Sequence, residues 1–135
     1  MNRKGFTFVE LLAVIVLIGI IIGISVPIIR YADKKFHEKA YNTKVDLIKN
    51  AAKDYGDENI EFINAQTTTY TEPSSGHSYK AVTITVGDLL DKGYITKDND
   101  IRKRDVLDPR NDESMLDKTI TVYIKYNRAY VKLNF

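Results

Sequence analysis

The chain has 135 residues, of which 44% are hydrophobic and 28% charged; it contains no cysteine and carries a formal net charge of +2. That length holds one modest globular domain beside a long helical segment. The missing cysteines exclude a disulfide framework and a thiolate metal centre, and a balance of 20 Lys+Arg against 18 Asp+Glu excludes a globally basic nucleic-acid-binding protein.

The first five residues, Met1-Asn2-Arg3-Lys4-Gly5, form a short basic leader. An apolar run of 24 residues follows, Phe6 to Ile29, and Glu10 is its only charged side chain. A bilayer crossing takes roughly 20 apolar residues, so the run is long enough to span. A carboxylate in mid-membrane costs on the order of 2.5–3.5 kcal/mol, so a plain anchor has no use for Glu10. In hydrocarbon that carboxylate requires a proton or a cation. Seventeen of the 24 positions are large aliphatic or phenyl residues. At roughly 1.5–3 kcal/mol each, moving them into water costs tens of kcal/mol. Such a segment leaves a membrane only for another apolar environment, such as a bundle of like helices. A secretory signal cut near Gly23-Ile24-Ser25 is the alternative reading, but such signals have apolar cores of about 7–15 residues.

The basic leader, Gly5 and the stretch Phe6-Thr7-Phe8-Val9-Glu10-Leu11-Leu12 resemble the class III signal of type IV prepilins and pseudopilins. The resemblance implies cleavage after Gly5 by a prepilin peptidase and N-methylation of the new terminus, Phe6. It implies that Glu10, with Thr7, serves subunit assembly, Glu10 pairing with the freed amine of Phe6 on a neighbouring subunit. Pro27 also matches the family pattern. The bland alternative is a carboxylate satisfied within its own helix, near the positive end of the helix dipole. The two roles are compatible in sequence, one before assembly and one after. Further along, Val82–Ile95 resembles a segment of pilin-like proteins from Gram-positive bacteria.

Helical character continues beyond the apolar run, because Tyr31 to Tyr55 contains neither Pro nor Gly. Tyr41, Val45, Ile48, Ala52 and Tyr55 recur at spacings of four and three, the stripe of an amphipathic helix. The reading is one helix from Phe6 to Tyr55, with Gly56 as its C-terminal cap. Pro27 predicts a kink or local loosening, and Gly19 and Gly23 form a GxxxG spacing that reads as close helix packing in a membrane, while the resemblance implies that this stretch loosens when the subunit enters the filament.

Residues 57–80 read as a polar surface loop with a short strand near Tyr70. Ala81 to Thr85 reads as a strand, and Thr85 with Asp88 as a capping-box pair opening a short helix, Val86 to Lys92, which ends at Gly93. Leu89, Leu90, Tyr94 and Ile95 would dock it. Residues 96–118 are rich in charge. Ile120, Val122, Ile124 and Tyr126 then alternate with Thr121, Tyr123 and Lys125. After a turn at Asn127-Arg128, Val131, Leu133 and Phe135 alternate with polar residues, which predicts a β-hairpin with one buried face.

The fold expectation is therefore α+β, a pilin fold with a long N-terminal helix packed on a small C-terminal antiparallel sheet. The segments are a leader (1–5), a membrane and filament-core helix (6–29), an amphipathic helix (30–56) and a globular head (57–135).

Other chemistry is thin. Asp98, Asp100, Asp105 and Asp108 offer hard oxygen ligands for calcium, but without an EF-hand spacing, and Arg102, Lys103, Arg104 and Arg110 are interleaved to neutralise them. No metal and no cofactor is expected. Arg102-Lys103-Arg104 is the one DNA-contact candidate and lacks a basic face with stacking aromatics. His37 and His77 lie far apart, and no nucleophile or phosphate-binding motif accompanies them, so an enzyme is not expected.

The resemblance implies a non-enzymatic structural subunit of a type IV pilus, serving adhesion, motility or DNA uptake. Its precursor would be a single-pass protein of the cytoplasmic membrane and its assembled form a surface filament. Implied partners are further copies of the chain, the prepilin peptidase and methylase, an assembly ATPase and a membrane platform protein. The alternatives are a competence or secretion pseudopilin, and a membrane-tethered binding module that never polymerises.

Overall fold

The computed structural model describes residues 7–98 and 105–135, with the side chains of residues 25–30 outside the description. Two compact units result, Met1–Glu38 and Lys39–Phe135. Helix α1 (Phe8–Glu58) contributes residues to both.

In the second unit, α1 is followed by a short helix α2 (Ile60–Asn64), strands β1 (Thr69–Thr71) and β2 (Ser78–Thr85), helix α3 (Val86–Asp91), and strands β3 (Thr119–Lys125) and β4 (Arg128–Leu133). The strands form one antiparallel sheet in the order β1-β2-β3-β4. The architecture is α+β and consistent with the pilin fold: a long N-terminal helix lies on a four-stranded antiparallel sheet.

The core is where the two periodicities meet. Ile48, Ala51, Ala52 and Tyr55 supply the helix stripe, and Ile120, Val122, Ile124 and Ala129 the facing sheet positions, all buried. Tyr41, the stripe's first residue, is half-buried against the same cluster. The small residues Ala52, Gly56 and Ala129 bring helix and sheet close. A Cβ built on Gly56 would lie 2.5 Å from both Ala129 Cβ and Val122 Cγ1.

Gly56 is thus inside α1, which runs on to Glu58, and its role as a cap is corrected to one of close packing. The region after it is not all loop, since α2 buries Ile63 completely. The strand ending at Thr85 starts earlier than predicted, at Ser78, and β1 forms at Tyr70 as expected.

The α3 start is the predicted capping box. Thr85 Oγ1 accepts from the Asp88 N–H at 3.1 Å, and the Asp88 carboxylate accepts from the Thr85 N–H at 2.7 Å. Its end is a Schellman motif: Tyr94 N–H donates to the Leu89 carbonyl and Gly93 N–H to that of Leu90, with Gly93 at φ +80°.

The hairpin is displaced by one residue from its predicted turn. Lys125 pairs with Arg128, so the turn is Tyr126-Asn127, both left-handed at φ 52° and 59°. That is the two-residue geometry whose twist matches antiparallel strands. Tyr126, predicted to face inward, is consequently 84% exposed. Tyr123, assigned to the polar face, is buried. Its ring packs 4.6 Å from that of Tyr70, 5.9 Å from Tyr79 and 5.7 Å from Tyr130. The sheet's second face therefore has an aromatic cluster of its own.

The charged segment also contributes to the core. Val106 and Met115 are buried, and Met115 N–H donates to the Val106 carbonyl at 2.7 Å, closing 106–115 into a compact loop.

Candidate assembly site at the start of the long helix

The first described turn of α1 is organised by one side chain. The Glu10 carboxylate accepts from the Thr7 backbone N–H at 2.8 Å and from the Thr7 hydroxyl at 2.9 Å, both through Oε2. In return the Thr7 hydroxyl accepts from the Glu10 N–H at 3.3 Å. This is the same reciprocal box as Thr85 and Asp88, with Thr7 as N-cap and Glu10 three residues into the helix. A helix N-terminus has unsatisfied N–H donors and a positive dipole end, and a carboxylate answers both. The pattern Thr-x-x-Glu is visible in the sequence, where the need of a carboxylate in an apolar run for a cation draws attention away from it.

The rest of the turn is apolar and uncovered. Thirteen large hydrophobic side chains between Phe8 and Ile24 are exposed, with Phe8 at 77%. Apolar patches of this size mark a surface that meets another apolar phase. A Cβ on Gly19 or Gly23 would meet nothing within 4 Å, so the GxxxG face is open. Among the described residues no helix is long and apolar enough to cross a membrane. The described side chains of the run from Phe8 to Ile24 number 17, short of the roughly 20 a crossing takes. Of the rest of the 24-residue run, Phe6 and the side chains of residues 25–29 fall outside the description. Gly5, Phe6 and the side chain of Pro27 lie outside the described residues, as does Asp100.

Three aspartates of the charged segment, Asp98, Asp105 and Asp108, are each engaged separately. Asp98 forms an ion pair with Lys44 and accepts from the Leu107 N–H at 2.6 Å. Asp105 accepts from the Ser114 hydroxyl at 2.8 Å. Asp108, nearly buried, takes Arg110 through Nε at 3.0 Å and Nη2 at 2.6 Å, and also accepts the Arg110 N–H at 2.9 Å. The Arg110 guanidinium holds the Asp108 carboxyl below the usual carboxylate range and itself lies 3.3 Å over the Tyr41 ring. Among the described residues no three metal-ligating side chains converge. His37 sits 3.5 Å from Asp33, one turn away on α1.

On the sheet's outer face Lys125 binds Glu72 at 2.9 Å and lies 5.2 Å over the Tyr79 ring, while Lys132 lies 5.2 Å over Tyr70. These rings are already covered by cations and by one another, which suits packing rather than the stacking of bases.

Residues 1–26 match the prokaryotic N-terminal methylation motif. That motif is the class III prepilin signal of type IV pilins and pseudopilins, so the chain carries a prepilin signal ending in the apolar first turns of α1. The signal supports a type IV pilin or pseudopilin. It implies processing by a prepilin peptidase, a membrane-anchored precursor, and assembly into pilus filaments. No curated protein and no solved structure matches the chain.

Proposed function

We propose that this chain is a structural subunit of a type IV pilus, cleaved after Gly5, methylated at Phe6 and polymerised through the apolar half of α1. The observation that carries the reading is Glu10: a carboxylate set in a run of exposed apolar side chains, directly within a prepilin signal.

Before assembly, Thr7 satisfies Glu10 through Oε2. In a bundle of apolar helices the negative charge still needs a cation. Cleavage creates one, the secondary amine of methylated Phe6, which is protonated at neutral pH. Thr7 holds the carboxylate at the helix start, where the terminus of an incoming copy would reach it. Pairing there fixes the axial register between copies. Two close opposite charges in a medium of low dielectric attract far more strongly than in water, so a misplaced subunit leaves both uncompensated. The apolar side chains supply the bulk of the association energy, and the ion pair selects its geometry. The peptidase, the assembly ATPase and the membrane platform are the partners this role requires. Adhesion, motility and DNA uptake are the uses open to such a filament.

Glu10→Gln separates capping from charge. A Gln amide oxygen still accepts from Thr7, since Gln serves in capping boxes. Membrane insertion and leader removal are expected to persist, while the filament fraction sheared from cells falls sharply. Normal assembly of Glu10→Gln would refute the pairing. Recovery of the processed wild-type chain solely as detergent-soluble monomers would favour the non-polymerising binding module instead.

A further inference from the structure

From Leu47 to Glu58, α1 sets Lys49 and Lys53 on one flank and Asp54 and Glu58 on the other, while Asp57, on the lysine side, is held by the Ala129 N–H. At 3.6 residues per turn, Lys49 and Lys53 fall roughly 100° to one side of the buried line through Ile48 and Ala52. Leu47, Asp54 and Glu58 fall roughly 120° to the other side, and all five are exposed. The sheet extends both flanks. Beside the lysines, a groove of about 280 Å³ runs between α1 and the edge strand β4, lined also by Arg128, Tyr130 and Val131. Beside the acids, Glu58 accepts the Tyr94 hydroxyl, and Leu47 joins Tyr94 and Ile95 along a second cleft.

We propose that these two flanks are the two halves of one contact between copies of this chain. The groove of Lys49, Lys53 and Arg128 receives the Asp54–Glu58 flank, with Leu47, of the next copy. The proposal rests on the filament reading above and adds where the head groups touch. Its warrant is charge complementarity on opposite sides of one helix. A single patch that matched itself would close a two-fold dimer, whereas two different, complementary patches join head to tail and leave an open chain. The chain places three cations and the backbone-bound Asp57 on one flank, and two carboxylates and the Asp98-paired Lys44 on the other, so the flanks keep opposite net charge, which suits an open assembly. Edge strand β4 is itself partly blunted on this side: the Asp57 carboxylate accepts the Ala129 N–H at 2.7 Å, leaving side-chain charge as the readier means of recognition.

The test is made on the full chain in cells that shear off wild-type filaments. Lys49→Glu/Lys53→Glu is expected to lower filament yield about tenfold, because opposite charges become like charges across the contact. Asp54→Lys/Glu58→Lys is expected to do the same, and the four changes together to restore assembly. Processed subunit in the membrane must stay at its wild-type level, which separates lost contact from lost folding.

A second measurement exploits the absence of native cysteine. Lys49→Cys/Glu58→Cys is expected to give a ladder of disulfide-linked multimers in sheared filaments, while each single Cys variant remains monomeric. Filament yield indifferent to the lysine reversals overturns the inference and leaves the groove to an anionic partner other than this chain. Dimers from either single Cys variant also overturn it, since like would then meet like. If the wild-type chain forms no filament, the functional reading falls with it; if only the variants behave as wild type, this contact alone falls.

Discussion

Gly56→Ala sets local propensity against packing. In an exposed helix interior, Ala is more favourable than Gly by about 1 kcal/mol, so propensity alone predicts a stabilised protein. The surroundings predict the opposite. The added methyl would sit 2.5 Å from Ala129 Cβ and 2.5 Å from Val122 Cγ1. Carbon atoms in contact rest at about 3.5–4.0 Å, so roughly 1 Å must be found on two sides at once. Neither neighbour yields easily: Ala129 Cβ is fixed to the β4 backbone, and Val122 is fully buried in β3. Overpacking costs about 1–3 kcal/mol, and with both neighbours fixed the upper part of that range, about 2–3 kcal/mol, applies here. The expected net loss is about 1–2 kcal/mol, and Gly56→Val should lose more. For a unit of 97 residues, Lys39–Phe135, that is a fall in Tm of about 4–16 °C. Thermal unfolding of the detergent-solubilised full chain, followed by circular dichroism, reads it. Ala129→Gly on the Gly56→Ala background should recover part of the loss, a coupling that a double-mutant cycle resolves. A higher Tm for Gly56→Ala would refute the close-approach argument, since it would mean that helix propensity governs the position.

Two smaller perturbations test the head. Thr85→Ala removes the side chain that caps α3 and is expected to cost about 1 kcal/mol in the same unfolding assay, with Thr85→Ser close to wild type. Asp108 gives a pH signature. Its carboxyl is held below the ordinary value of 3.8 by Arg110, so the unfolded chain takes up that proton first as pH falls. The pair's stabilisation is therefore complete above that ordinary value and lost as pH drops through the depressed one. Asp108→Asn should lower stability at neutral pH and flatten the acid limb of the stability curve; an unchanged acid limb would show that the pair contributes nothing.

The sequence was readable where one short-range rule acted alone. The stripe from Tyr41 to Tyr55, the alternation from Ile120 to Ile124 and the Thr85–Asp88 box each follow from a local period or spacing. It was misleading where distant residues decide. Gly56 looks like a terminator because a glycine after a periodic run usually is one; its reason for being Gly is a strand more than 60 positions away. Tyr123 looks polar-facing by alternation, but tyrosines from three other strands bury it. Val106 and Met115 have no periodic companions in a charged segment, so nothing local marks them as core. Tyr126 continued the alternation one step past the point where left-handed backbone closes the hairpin. At the assembly site, Glu10 stood out by its charge in an apolar run, while its cap on Thr7 was written in the same Thr-x-x-acid spacing recognised later in the chain.

The central claim is that this polypeptide is processed and then becomes part of a filament. Mass spectrometry of the sheared extracellular fraction tests it directly. The account predicts a chain beginning at N-methylated Phe6, found in high-molecular-weight material and lacking Met1 to Gly5. A chain that keeps its leader, or one that is found only as single copies in the membrane, would contradict it.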